Sequence, residues 1–424
     1  MSTSSQPSTA AAIRVASSIA EIGRDHWDAC ANPGWRGPPL NGKAAADRYP
    51  PYDPFVSWDF LDALEQSGAV SRRAGWAPRH LILEGESGAP AGVMPCYVKS
   101  HSQGEYVFDW GWADAYERAG GSYYPKLQVS VPFTPVTGPR LLTPPGPGAA
   151  ERKQLLAAGL MELCRRNNLS SAHLTFLPEE DWSLLGEMGF LRRTDKQFHW
   201  SDAGFGDFEG FLDALSSRKR KAIRKERREA VEAGIEIDWV TGGDLTEAHW
   251  DAFFDFYMDT GARKWGRPYL NRAFFSMLSE RMADKLLLVL ARRDGRYIAG
   301  ALNLIGSDTL YGRHWGTTED HRFLHFEVCY YQAIEFALAH GLKRVDAGAQ
   351  GPHKLSRGYL PETTYSAHFI ADPSFRRAVE NYLEEERREV ALSGAMLSRH
   401  APFRRGDRET RGAGACGEEP GGEE

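Results

Sequence analysis

The chain has 424 residues, 42% of them apolar and 25% charged, with a formal net charge of -6. These totals leave room for two domains with extensive cores, and they exclude a global electrostatic pull toward nucleic acid or anionic membrane, so any such attraction is local. Cys30, Cys96, Cys164, Cys329 and Cys416 form no CxxC pair and have no histidine at ligand spacing, which argues against a metal site or disulfide framework and for a reducing compartment.

The opening MSTSSQPSTAAAIRVASS has no basic patch ahead of a long apolar core, and no apolar run later in the chain is long enough to cross a bilayer. A cytoplasmic location is expected. Residues up to Ile13 are small and polar, and disorder is expected there. A short helix follows over Ser18 to Cys30, then a Gly- and Pro-rich loop from Asn32 to Pro54. Ser57 or Asp59 caps a helix carrying Phe60, Leu61 and Leu64, which Gly68 ends. His80 to Glu84 and Ala91 to Ser100 read as a strand pair across GESGAP, and Tyr106 to Trp110 as a third strand. After a Pro-punctuated stretch and the linker Pro144 to Gly148 come an amphipathic helix (Glu151 to Asn167), a strand (His173 to Phe176), a helix (Glu180 to Met188) and a strand (Lys196 to Trp200).

The basic block SSRKRKAIRKERREAVEAG comes next, with strong helix propensity. Its reading is open between a solvated helix, with Glu226, Glu229 and Glu232 pairing locally, and a clamp for a polyanion such as a tRNA acceptor stem or a pyrophosphate, through Arg220, Lys221, Arg224 and Lys225 among others. Beyond the helix Trp250 to Met258, a loop carries Lys264, Trp265, Arg267 and Tyr269, either as a lid or as packing.

From Lys285 onward the pattern is strand, turn, strand, turn, strand, helix, strand and polar loop. Leu286 to Ala291, Ile298 to Ile305 and Thr309 to Gly316 are the strands, with Asp294-Gly295 as a tight turn. Tyr330, Ile334, Ala337 and Leu338 share a helical face that Gly341 terminates. Lys343 to Ala347 resumes as a strand, and GAQGPHKLSRGY is too polar and Gly-rich for core. This half repeats the first: HLILEGESGAPAGVMPCYVKS parallels LLLVLARRDGRYIAGALNLIG, VFDWGW parallels YGRHWG, and each half then has a helix and a strand. Two copies of one α/β unit sharing a cleft are therefore expected. Ligands in such sheets sit beyond strand ends, which places the chemistry on the loop after Asp346.

The motifs RKWGRPYL, LYGRHWG, LHFEVCYYQAIEFALAHGL, DAGAQGPHKLSRGYLP and TTYSAHFI, with PFVSWDFLDALEQSGAV and GWAPRHL near the start, resemble the FemAB-like family of N-acyltransferases over Phe55 to Glu385. The resemblance implies an α/β (α+β) fold of tandem GNAT-like domains, each a mixed sheet flanked by helices. The organisation is then 1–54 as terminus and leading loop, 55–203 as first domain, 204–240 as basic connector, 241–390 as second domain and 391–424 as tail. It also implies transfer of an acyl or aminoacyl group to an amine; the best understood relatives take theirs from aminoacyl-tRNA and act on peptidoglycan precursors. The glycine loop that holds the CoA pyrophosphate in GNAT enzymes is missing from EDHRFLHF and off-pattern in GPGAAERK. An acyl-CoA other than acetyl-CoA, or an aminoacyl-tRNA, is the expected co-substrate, with no bound cofactor and no metal.

Amide formation needs a deprotonated amine, a polarised carbonyl and a proton for the leaving group. His353 is the titratable candidate, Asp346 a base or amine anchor, and Gln350 a donor to the acyl carbonyl. Glu327 either serves its helix dipole or points into the cleft beside Tyr330 and Tyr331. Lys354 and Arg357 suit a phosphate or carboxylate. His314 and Trp315 face opposite sides of their strand, and Cys329 reads as core. A rival reading is a non-catalytic protein that recognises muropeptides or RNA.

Overall fold

The computed structural model describes residues 12–35, 50–85, 88–264, 268–348 and 351–404. The first half opens with β1 (Ile13–Ala16), α1 (Arg24–Ala31) and α2 (Trp58–Gln66). Ser57 caps α2 by accepting the Phe60 amide, as the sequence predicts. Five short strands follow: β2 (Trp76–Pro78), β3 (His80–Glu84), β4 (Pro90–Met94), β5 (Tyr97–Lys99) and, after α3 (Trp110–Arg118), β6 (Lys126–Val129). Then come α4 (Ala149–Arg166), β7 (Ser171–Leu177), α5 (Glu179–Glu187) and β8 (Leu191–Ser201).

The second half runs through α6 (Phe208–Ala214), the basic helix α7 (Ser217–Val231), β9 (Glu236–Thr241), α8 (Glu247–Lys264) and α9 (Arg272–Met282). It continues with β10 (Leu286–Arg293), β11 (Arg296–Ile305) and β12 (Thr309–Thr317). Leu324–Phe326, a π turn at Glu327–Tyr331 and Gln332–Ala339 form one continuous helix, α10. β13 (Arg344–Asp346), a 3-10 turn at Pro352–Arg357, β14 (Leu360–Ile370) and α11 (Pro373–Ser398) complete it. At the β10–β11 hairpin both turn residues have positive φ, 50° at Asp294 and 74° at Gly295, which is the backbone that the Asp-Gly pair favours. Gly341 stops α10 at φ 70°.

Strands β1, β3 and β4 make a small sheet, and the other eleven make one continuous sheet in the order β2-β5-β6-β7-β14-β8-β13-β12-β11-β10-β9. The repeat is visible in it: β6 and β7 are parallel around α4, and β12 and β13 are parallel around α10. The halves exchange their last strands. β14, from the end of the second half, pairs with β7 of the first, and β8, from the end of the first, pairs with β13 of the second. β8 and β14 also pair with each other through nine residues, Leu360↔His199 to His368↔Leu191. The largest apolar cluster likewise joins the halves, with Phe60 of α2 edge-on to Phe274 of α9 at 5.8 Å. At its rim Arg281 pairs with the buried Asp62 at 2.6 Å.

Two expectations need correction. Tyr106 to Trp110 is no strand: Tyr106 has φ 61°, and Asp109, held by Lys126, starts α3. The aromatic spacing of two is misleading, because the chain enters a helix at Trp110 that buries Trp112 and Ala113, so VFDWGW has no counterpart in YGRHWG. The segment after β13 is core rather than a solvated loop. Lys354, Leu355, Arg357 and Tyr359 are all buried, because the two cations find partners inside.

The exchange is fastened by a buried polar cluster that no local pattern announced. His173 of β7 and His368 of β14 are register partners, with their Nδ1 atoms 2.7 Å apart. His173 also contacts Ser171 Oγ at 2.8 Å and the Tyr123 hydroxyl at 3.3 Å, and Tyr123 donates to Asp109 at 2.6 Å. Lys126 Nζ donates to Glu105 at 2.7 Å, to Ser102 at 2.9 Å and to Asp109. Burial, then the Lys126 charge, pushes His173 down to about 3, and burial next to His173 holds His368 well below the usual imidazole range. Both imidazoles stay neutral in the fold, so the unfolded chain binds more protons once the pH drops below about 6.5. Stability from this pair is therefore complete above that pH and lost as the pH falls toward about 3. Denaturant unfolding is expected to lose about 2 to 4 kcal/mol from this pair between pH 7.5 and pH 5. Replacing His173 and His368 together by Asn is expected to flatten that slope; an unchanged slope contradicts the assignment.

Candidate active site at the parting of two parallel strands

β12 and β13 run parallel only from Thr309↔Arg344 to Tyr311↔Asp346; β13 then ends, while β12 continues to Thr317. The strands part at Gly312, where a Cβ would sit 3.3 Å from Asn303 Oδ1 and 3.5 Å from the Asp346 carbonyl. The opening lies beyond strand ends in a parallel pair, the position where open α/β sheets bind ligands.

Asp346 stands at its foot, 2% exposed. Its Oδ1 accepts the Gly348 amide at 2.9 Å, and its Oδ2 lies 3.7 Å from Nε2 of His199. His199 belongs to β8, so the first half supplies one side of the site. Gln197, two residues earlier on the same face, contacts His199 Nε2 at 3.3 Å and donates to the Pro135 carbonyl at 2.8 Å. Arg313 of β12 reaches toward Gly348, and the Asp346 charge partly offsets the burial that lowers its guanidinium. Lys354, 2% exposed, donates to the carbonyls of Ala347 at 2.6 Å and Gly348 at 2.7 Å and so pins the segment that follows β13. Burial pushes its ammonium down to about 8 against the pull of Asp346.

An aromatic wall rises beside this foot. Trp315 meets His325 at 5.2 Å between ring centroids, His325 meets Tyr330 at 5.3 Å, and Phe326 meets His353 at 5.6 Å. The Tyr330 hydroxyl is 3.0 Å from His353 Nε2. Burial, then the charges of Arg357 and Lys354, lower His353 from its ordinary value, so near neutral pH it is an unprotonated base. His353 is exposed, the solvent side of the wall.

The π turn shapes the remainder. It widens α10 by one residue, which brings Gln332 Nε2 to Glu327 Oε1 at 2.7 Å. Glu327, 2% exposed, also takes Arg227 of α7 at 2.9 and 3.1 Å, so it faces the basic helix rather than the opening. Tyr331 donates to Glu226, which also accepts Arg357 at 2.9 Å. Arg357 stacks 3.4 Å above the Phe326 ring. His353 and Tyr330 thus meet directly, and Lys354 lies within electrostatic reach of both His353 and Asp346, while Glu327, Tyr331 and Arg357 form the joint with α7.

The other expected residues lie apart. His314 faces Tyr257 at 5.1 Å, opposite Trp315 as alternation requires, and burial pushes it down to about 3. Tyr269 stacks on Phe133 at 4.8 Å. Lys264 ends α8, and its side chain and Gln350 lie outside the described residues. On α7, Arg220 pairs with Asp213, Arg224 with Glu209 and Lys225 with Glu229. Lys221 and Arg218 are exposed, with no acidic partner among the described residues. The first turn of α7 carries no acidic residue, although its helix end is itself positive. Sequence reasoning missed His199, Arg313, His325 and Phe326. Only strand order brings His199 to Asp346, whereas the HRFLHF run ahead of α10 could have flagged the aromatic wall.

Replacing Glu327 by Ala leaves Arg227 and Gln332 without their buried acceptor and is expected to cost about 2 to 4 kcal/mol in denaturant unfolding. Replacing the exposed His353 by Ala is expected to cost under about 1 kcal/mol. The reverse order would put Glu327 in the opening.

The sequence profile of the FemAB-like family, described as peptidoglycan biosynthesis/recognition, matches residues 18–405. No curated protein matches the chain in sequence. Among solved structures, FemX is similar at 12% identity, with a TM-score of 0.50 over 82% of this chain and 99% of that one. L-PGS from Bacillus licheniformis gives 9%, 0.47, 84% and 98%, and a tandem GNAT protein from the clavulanic acid biosynthesis pathway 14%, 0.45, 86% and 99%. At these identities the likeness is one of fold.

Proposed function

The chain belongs to the FemAB-like family, and on that footing we propose that it is an N-acyltransferase, moving an acyl or aminoacyl group from an activated donor to an amine. The observation that carries the reading is the parting of β12 and β13, where a buried carboxylate ends β13 and the charge of Lys354 is felt both by that carboxylate and by an unprotonated imidazole. In this proposal the acceptor amine is anchored at Asp346 and gives its proton to His353 as it attacks the acyl carbon. The C–N bond forms, the bond from acyl carbon to the donor's sulfur or oxygen breaks, and the leaving atom takes the proton that His353 accepted. Trp315, His325 and Tyr330 shield the reacting carbonyl from water.

Two features favour an aminoacyl-tRNA over acyl-CoA as the donor. At the start of α10 the amides of Leu324 and Phe326 already donate to the carbonyls of His321 and Phe323, and Phe323 has φ 64°. Those amides are the ones that would cradle a pyrophosphate. The exposed cations of α7, by contrast, suit a polyanionic strand. A peptidoglycan precursor is the acceptor that the family description favours, and the cytoplasm is where such a donor is found. A second reading, recognition of muropeptide or RNA without turnover, rests on the same basic helix.

Asp346→Asn and His353→Ala are each expected to lower turnover about 100-fold or more, with aminoacyl-tRNA binding retained. Binding of aminoacyl-tRNA is expected to weaken with salt, and Arg218→Gln with Lys221→Gln to reduce the log–log slope by about 2. Thermal stabilisation by acyl-CoA alone would transfer the proposal to a thioester donor. Binding of muropeptide or tRNA without turnover by the native protein would support the second reading.

A further inference from the structure

Three aromatic side chains outside the site stand half in solvent within one small area. Phe108 and Trp110, at the start of α3, are 49% and 51% exposed, with ring centroids 5.0 Å apart; Tyr382 of α11 is 50% exposed. Arg193 of β8 ties them together. Its Nη1 donates to the Phe108 carbonyl at 2.9 Å, and its Nε and Nη2 donate to the two Glu386 oxygens at 2.8 and 2.7 Å. The Tyr382 hydroxyl donates to the same carboxylate at 3.1 Å. Beneath them Trp112, 7% exposed, carries the Arg193 guanidinium 5.0 Å above its ring and meets Tyr382 edge-on at 6.4 Å. Tyr382 is therefore held in place by a buried indole and a two-pronged ion pair, and the same Arg193 anchors the Phe108 backbone, whose ring packs on Trp110.

The size and make-up of this patch select its occupant. Half of three aromatic side chains leaves roughly 300 Å² of ring surface, against roughly 1,000 Å² or more for a stable protein interface. Insertion into hydrocarbon would remove the remaining water from the Arg193–Glu386 pair, whose side chains are 13% and 18% exposed, at a cost in free energy. The exposed Leu392 and Met396 sit further along α11, about 15 Å or more past Tyr382 at the helical rise, and do not extend the patch. A pyranose fits both features. Its C–H face stacks on an aromatic ring, and one of its hydroxyls donates to the single acceptor position that Glu386 keeps free on Oε2.

We propose that Phe108, Trp110, Tyr382 and the Arg193–Glu386 pair form a binding site for one or two pyranose rings of an oligosaccharide. The site stands independently of whether the chain transfers acyl groups. Saturation-transfer NMR and tryptophan fluorescence with tetra-N-acetylchitotetraose and with maltotetraose test it on the full chain. Binding of at least one sugar in the millimolar range or tighter is expected, weakened at least tenfold by Trp110→Ala and by Phe108→Ala and unchanged by Leu392→Ala. Melting curves of the two aromatic variants should overlay the native curve, since both side chains are half exposed. The proposal is overturned if neither sugar binds or if both aromatic variants bind as the native protein does. It is also overturned if Trp110→Ala instead abolishes binding to phosphatidylglycerol vesicles, which would make the patch a membrane contact.

Discussion

Strand exchange at the middle of the sheet is the constraint on which the rest of this structure depends. Each half ends in a strand that it gives to the other, so β8 and β14 lie side by side with a donor half on either flank. A central strand has both edges paired and no free hydrogen-bonding row, and losing it would strand the backbone groups of two neighbours. Neither half can complete its own sheet. The candidate site inherits this dependence, because the imidazole beside Asp346 comes from β8.

Buried charge follows the same seam. Lys126, Glu105 and Asp109 are each 3% exposed or less, and Glu105 is pushed up to about 7 by burial against the pull of Lys126. Such groups are poor sources of net stability but strong sources of discrimination, since a misregistered strand leaves them unpaired. The His173–His368 contact is a case in point: it exists only when β14 sits in one register on β7. Glu226 and Glu327 do the same for α7, fixing the orientation of a helix that otherwise docks through only Ile223 and Ala230.

What could be read in the sequence was local. The Asp294-Gly295 turn, the Ser57 cap, the Gly341 stop and the alternation of His314 and Trp315 are each dictated within a few residues, and each is observed. The doubled α/β unit was legible in its helix and following strand; the expected hairpin match was not borne out, because Ala91 to Ser100 splits into β4 and β5 and β3–β4 sits in the small sheet. The exchange was not, because nothing within β8 or β14 says which neighbour it takes. The candidate site was accordingly half legible. Asp346, His353 and Lys354 share one loop and were visible as a cluster. The buried state of Lys354 and Arg357 was not, since their partners are two carbonyls next door and a glutamate 131 positions away.

The most direct test of this account is native-state amide hydrogen exchange across the large sheet. If the exchanged strands hold the halves together, the central amides of β8 and β14 open only with the whole molecule, at the same free energy as those of β10 and β11. If β8 and β14 exchange through a lower-energy opening while β10 and β11 remain protected, the halves stand without the exchange and the account fails.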